Sequence, residues 1–512
     1  MAGIVISSRS SGRVAVVAAE EGALFNGVTD DRPALQSMLD WIEARGGGEL
    51  LLPGQGVGML GDFLRVGNYT TISAEGGMAT LCLLANRPFR TNLPPPTDPD
   101  FNACITNKDH VNGNHHIRLI GLRLDGNYLN QVKESGGRGA NLLPLQFYQV
   151  SFWEVADCEL LGGISECFYA LGGCVSPNFT TTHGILANCW IHDTGYEDED
   201  SLGFHGDRVD GVAVTGCTFQ NIGLRAIGFS KGTNVAVAGC TAINCQDAIL
   251  LGGTRKASFT GITAVDVRND GILIDQSVDE QVPLDVVVAG CTFTAKAGNT
   301  GHGLHIKKGN FITVAGVTVN GFLSDGFLLE TGECVLQAVV AANCSGYGVH
   351  LNGAGAIHNS VGPYHAFGCA GEELEDGGAG SNRWFAKHTR IENLTLSALA
   401  GGAGPAFIDP YGQVHVDDIV LTQPYISGQL PIANGGTGAD NAAGARWMLD
   451  VYSKGEVDAA ITAALAAYVT AATYNAHGHW FGVPAHPHSG VTIGAGNTAD
   501  GGAYGAKTGG PY

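Results

Sequence analysis

Apolar and polar residues alternate with a period of two through the middle of the chain, in short runs that return at nearly regular intervals. The pairs Ile227/Phe229, Ile249/Leu251, Ile272/Ile274, Leu304/Ile306, Phe327/Leu329 and Val349/Leu351 point one way. Gly228, Leu250, Leu273, His305, Leu328 and His350 lie between them and point the other. Each run opens on Arg225, Asp247, Asp270, His302, Asp325 or Tyr347, followed by Ala or Gly. Alternation of this kind marks strands, since a helix needs apolar residues at three- and four-residue spacing.

A second pattern precedes the runs. Gly216-Cys217-Thr218, Gly239-Cys240-Thr241, Gly261-Ile262-Thr263, Gly290-Cys291-Thr292 and Gly316-Val317-Thr318 have centres 23, 22, 29 and 26 residues apart. A near-fixed period with insertions is the mark of stacked coils. One coil cannot bury its inner face alone, but stacking pairs each strand with its equivalents at about 4.8 Å. The expected fold is all-β, a right-handed parallel β-helix, its hand following the rule for parallel crossovers.

Cys158, Cys189, Cys217, Cys240 and Cys291 fall at matching places in successive coils, where Ile262 and Val317 stand elsewhere. A Cys that exchanges with Ile and Val behaves as a small buried hydrophobe. The competing reading is a disulfide network, but the count of 13 is odd and no cationic-then-apolar leader precedes Phe25. Free thiols and synthesis in a reducing bacterial cytoplasm are expected. No apolar run reaches the 18 to 20 residues of a membrane span.

Glycine supplies 77 of 512 residues, as corners with positive φ require, and charged residues are only 15%. A formal charge of −21 argues against binding through nucleic-acid phosphates. Leu250, Leu273 and Leu328 form an outward apolar column, either an interface between subunits or a surface covered by a loop of the same chain.

Near the N-terminus, Asn26-Gly27-Val28-Thr29-Asp30-Asp31 leads into a stretch in which Leu35, Met38, Leu39 and Ile42 share one helical face. Asp30 or Asp31 caps this helix, Pro33 lies in its first turn, Gly46-Gly47-Gly48 ends it, and Glu49 to Leu52 is the first strand. These residues, with Gly121-Leu122-Arg123-Leu124-Asp125-Gly126-Asn127, resemble the pectate-lyase-like β-helix domains of phage tailspikes and polysaccharide-active proteins, over roughly residues 20 to 425. Leu430-Pro431-Ile432-Ala433-Asn434-Gly435-Gly436-Thr437-Gly438 resembles an element of caudoviral tail fibres. Tyr452 to Ile461 resembles the helix that often follows it, and Val457, Ile461, Ala464, Leu465 and Tyr468 have the spacing of an oligomerising face. The resemblance implies a trimer and four regions: 1–24, a virion-attachment segment; 25–427, the β-helix; 428–475, a linker with the trimerising helix; 476–512, a tip.

His477-Gly478-His479 and His486-Pro487-His488 lie in that tip. Residues two apart in an extended segment face the same side, so three chains would set six imidazole nitrogens per pair around one axis. A transition metal is one reading; solvated histidines are the other. The arrangement resembles the His-x-His ion sites of long-tailed phage fibre tips.

Glycan cleavage needs two carboxylates, about 5 to 5.5 Å apart for retention and about 6.5 to 9.5 Å for inversion. Three groupings qualify: Asp247 with Asp270 on adjacent coils, Asp270 with Asp275 flanking one run, and Glu197-Asp198-Glu199-Asp200 with His205 and Asp207. Against this, Asp before Gly is a common corner residue and an acidic run is usually solvated. No Ser-His-Asp elbow, phosphate loop or Cys-x-x-Cys pattern competes. Trp153, Trp190, Tyr196, Tyr347, Tyr364 and Trp384 are aromatic candidates for stacking on sugars, with Arg225 and His302 as polar partners. The expected function is a virion tail fibre or tailspike that binds host surface polysaccharide, joined to tail or baseplate proteins through its N-terminal segment. The alternative is a depolymerase, hydrolase or lyase, on the same scaffold.

Overall fold

The computed structural model describes residues 15–86, 101–131, 141–172, 181–194, 201–371, 374–378 and 382–384. The chain divides into two units, Met1–Asp417 and Asp418–Tyr512, and all described residues belong to the first. Among them every strand pairing is parallel and joins one coil to the next, in sheets of 16, 23 and two strands.

The 23-stranded sheet bends within each coil. In the strand Thr218–Ser230 the first arm ends at Asn221, whose φ is 54°, and the second arm resumes at Arg225. The second arm stacks in the expected register, with Phe204, Ile227, Ile249, Ile272, Leu304, Phe327 and Val349 in one inward line. All are buried. A ring stack continues the core along the axis, from Trp153 and Phe147 through Phe168, Phe204 and Phe229 to Phe259, at centroid spacings of 5.1 to 6.3 Å. Burying each such side chain stabilises the coil by about 1.5–3 kcal/mol.

The Gly-x-Thr corner is a backbone requirement. Gly216, Gly239, Gly261, Gly290 and Gly316 have φ of 60° to 62°. At Gly239 and Gly290 an added Cβ would meet nothing within 4 Å, so conformation rather than room selects glycine. The same corner recurs beyond the five Gly-x-Thr copies, at Gly121, Asp157, Asn188 and Ala338. The residue after each corner, Cys158, Cys189, Cys217, Cys240, Ile262, Cys291 or Val317, is at most 2% exposed. All twelve described cysteines are free, and burial pushes Cys167, Cys245 and Cys334 up to about 12.

The N-terminal helix is Arg32–Glu43, and it buries Leu35, Met38, Leu39 and Ile42. Of the two candidate caps, only Asp30 reaches the helix. Asp31 holds the cap position but turns its carboxylate back to accept the N–H groups of Leu24 and Phe25, while Asp30 accepts that of Arg32. Nor is Glu49 to Leu52 in the first strand: Ala15–Val17 precedes it and pairs with Gly48–Pro53. The outward leucine column is also broken. Leu250 and Leu273 are neighbours, but His305 lies between Leu273 and Leu328.

Candidate functional site

Arg225, Asp247, Asp270, His302, Asp325 and Tyr347 line up along the leading edge of the second arm, where the chain turns into each run. Their side chains tie one coil to the next. Asp247 Oδ1 accepts the main-chain N–H of Asp270 at 3.0 Å, Asp270 Oδ1 that of His302 at 2.7 Å, and Asp325 Oδ1 that of Tyr347 at 2.8 Å. His302 does the same with Nδ1, which accepts the N–H of Asp325 at 3.2 Å. Each coil therefore leaves one donor at its corner that the previous coil's side chain satisfies.

The second oxygens face outward partners. Asp247 Oδ2 accepts from Arg225 Nε at 3.3 Å, so its carboxylate is fully engaged and only 2% exposed. Asp270 Oδ2 lies 3.9 Å from His305 Nδ1, and the far nitrogen of that ring, Nε2, donates to Glu330 at 3.4 Å. His305 thus stands between two carboxylates from coils on either side. Asp325 Oδ2 receives His350 Nδ1 at 3.0 Å, and Tyr347 packs on His350 with centroids 4.7 Å apart. Burial, then the neighbouring Asp270, hold the Asp247 carboxyl above the usual carboxylate range. Burial, then His305, hold His302 below the usual imidazole value.

This geometry separates the expected groupings. Asp270 and Asp275 lie five residues apart on an extended run, about 16 Å, too far for a carboxylate pair. Asp275 instead faces Lys307, at 4.0 Å. Asp207 and His205 sit on the same outer face, one coil before Arg225 and two before Asp247. Trp153 is 1% exposed and packs against Phe147 and Phe168, so it belongs to the core and not to a sugar platform. Its alternation places it inward, in the strand Trp153–Ala156. Trp190 is 44% exposed on the first arm, away from the Asp247–His350 face, and covers His192 at 3.9 Å. Tyr364 is half-buried against the core. Tyr196, the Glu197–Asp200 run, the helix expected near 457–468, and His477, His479, His486 and His488 lie outside the described residues, as does the side chain of Trp384.

One surface escaped the sequence reading. Tyr69, His116, Phe152 and His183 occupy one corner of successive coils, all with φ of 54° to 58°. Their rings stack at 4.8, 4.9 and 4.8 Å. Beside them a cleft of about 400 Å3 is lined also by Arg118, Glu154 and Ile185. No shared motif marks it, because each residue comes from a coil with a different corner sequence.

Residues 145–310 match the family model described as the right-handed β-helix region. The chain is a right-handed parallel β-helix protein. Solved structures agree on the fold. A tailspike variant of E. coli bacteriophage HK620, in complex with a hexasaccharide, aligns with a TM-score of 0.51 at 10% identity, over 69% of this chain and 76% of that one. The A-module of Azotobacter vinelandii mannuronan C-5 epimerase AlgE6 aligns at 0.50 and 15% identity, over 72% and 99%. No curated protein matches by sequence. Among the described residues of this β-helix protein, no helix is long and apolar enough to cross a membrane, and no cluster of three His, Cys, Asp or Glu is arranged to hold a metal.

Proposed function

We propose that this protein is a phage tailspike or tail fibre whose β-helix binds host surface polysaccharide during adsorption. The observation that carries the reading is the outer face of the second arm. From Arg225 to His350 each coil adds one charged or polar corner residue, Arg225, Asp247, Asp270, His302, Asp325 or Tyr347, beside an outward line in which Leu250, Leu273 and Leu328 are interspersed with His305 and His350, a mixed strip repeated along the axis that suits an extended polymer rather than a small ligand. The fibre-like C-terminal segments and the fold shared with a saccharide-bound tailspike support it. In this reading the chain is a homotrimer in the virion tail, joined to other tail proteins through residues 1–24.

A depolymerase on the same face is the second reading, favoured by the placement of His305 between Asp270 and Glu330. Asp247, the other acid of the expected pair, is bound on both oxygens and is better suited to holding the coil than to chemistry. Incubation of the protein with host capsule or lipopolysaccharide distinguishes the two. Binding without new reducing ends or unsaturated products fits a fibre that only attaches. Products that disappear in Asp270→Asn and Glu330→Gln fit the enzyme. No binding to any host-surface polysaccharide would sink both.

A further inference from the structure

At the N-terminal end of the same outer face, where the run that opens on Arg225 closes at Ser230, three side chains from three successive coils meet. Ser230 Oγ lies 3.2 Å from His205 Nε2, and His205 Nδ1 lies 3.4 Å from Glu166 Oε1. Strand register produces the meeting: Glu166 and Leu202 are partners, as are Leu202 and Arg225, and Asp207 stands beside Ser230. Tyr169 stacks on His205 at 4.8 Å and 20°, which fixes the plane of the imidazole.

Glu166 is 5% exposed, and its second oxygen, Oε2, is buried with no hydrogen-bond partner. A buried carboxylate directed at one imidazole nitrogen holds Nδ1 as the donor and leaves Nε2 free to accept from a hydroxyl. Ser230 ends its strand, and Lys231 follows in left-handed backbone, φ 56°, so the hydroxyl sits at a turn. The next coil places Gly252 beneath it, where an added Cβ would stand 3.8 Å from Oγ, and the missing side chain leaves the hydroxyl approachable. Gln146 Nε2, Ser165 Oγ and Asp207 Oδ1 are further buried polar atoms without partners in this part of the face. Native proteins seldom leave so many together unless something polar is to meet them.

We propose that Ser230, His205 and Glu166 form a nucleophilic site that removes short O-acyl groups from polysaccharide lying on this face. Ser230 Oγ bonds to the ester carbonyl carbon while its proton passes to His205 Nε2. Collapse of the tetrahedral adduct breaks the bond to the sugar oxygen, which leaves with that proton as the free hydroxyl. Water, deprotonated by His205, then attacks the acyl-serine and releases the carboxylic acid, restoring Ser230. Glu166 does not touch the substrate; it positions His205 and balances the imidazolium. The substrate class rests on the polysaccharide-binding reading, whereas the nucleophile does not.

The test uses the full chain with two probes, a fluorophosphonate and p-nitrophenyl acetate, and then O-acetylated host polysaccharide. The fluorophosphonate is expected to label one residue, Ser230, by peptide mapping. Ser230→Ala is expected to lose the label and about 10³-fold of the ester hydrolysis. Glu166→Gln should lower kcat with KM unchanged, and Glu166→Asp should recover part of it, a split that a merely structural carboxylate would not give. Far-UV circular dichroism of each variant checks the fold. An unlabelled Ser230, or equal hydrolysis by Ser230→Ala, overturns the nucleophile. Labelling and probe hydrolysis with no acetate released from polysaccharide that the protein binds overturns the substrate. Labelling with no polysaccharide bound at all overturns the attachment reading and leaves the serine standing.

Discussion

Asp247 accepts the main-chain N–H of Asp270, its neighbour one coil on, at 3.0 Å, and the two carboxyls share one edge of the helix. The contact makes Asp247 part of the scaffold and also places a second acid beside it. Burial first, and Asp270 second, hold its carboxyl above the ordinary value of 3.8. A raised folded value means the fold prefers the protonated acid. Its contribution to stability is full below 3.8 and is lost as pH rises through the higher folded value. Asp247→Asn cannot titrate, so the unfolding midpoint of the wild type relative to this variant should rise as the pH is lowered from about 7 to about 4. A difference that moves the other way would show the carboxylate to be favoured as the anion.

Much of this scaffold was legible in the sequence, and the reason is repetition. From Arg225 to Leu351 every coil repeats a polar corner, an Ala or Gly and two alternating inward apolar residues at the same steps, so alternation alone sets the register. Where the types change, the signal fades. Asp157, Asn188 and Ala338 occupy the glycine corner, so the Gly-x-Thr pattern is missing there, and at the first two only the cysteine that follows marks the coil. Trp153 reads as a sugar-stacking aromatic until the coil shows it turned inward. Ser230, His205 and Glu166 are 25 and 39 residues apart, and only the stacking of coils of unequal length brings them together.

The corner predicts a pair of opposite effects. Gly239 and Ala338 hold the same left-handed step, at φ of 60° and 50°. A side chain there costs about 1 kcal/mol or more. Gly239→Ala should therefore lower the thermal midpoint and Ala338→Gly should raise it, each by an amount set by about 1 kcal/mol, read by circular dichroism. Equal and small changes at both sites would show that packing, not backbone conformation, selects the residue.

Trimerisation and a metal-bound tip form one linked prediction. Each pair, His477 with His479 and His486 with His488, would complete an octahedral site only if three chains share an axis. Light scattering should give three times the monomer mass. Elemental analysis should find one transition metal per trimer for each occupied pair, lost from the first pair in His477→Ala with His479→Ala. A stable monomer at micromolar concentration would remove both halves of the idea.

His302 provides a pH response of the opposite sign to that of Asp247. Its Nδ1 accepts the N–H of Asp325, so a proton on that atom would displace a main-chain hydrogen bond. Burial, with His305 next to it, holds the ring below the ordinary value of 6.5. The fold thus prefers the neutral imidazole, and the stability it contributes is present above 6.5 and lost as pH falls through the lower folded value. The two rings lie 4.7 Å apart, so protonating one discourages the other. Against His302→Gln, which keeps an acceptor but does not titrate, the wild type should lose stability on acidification from about pH 6.5. The same titration should weaken polysaccharide binding if the strip from Arg225 to His350 is the binding face, since the coil carrying Asp325 would lose its tie. Measuring unfolding midpoints and polysaccharide affinity of both proteins across this range separates the roles. Loss of stability without loss of affinity would place the glycan elsewhere, and a wild type that gains stability on acidification would contradict the neutral ring.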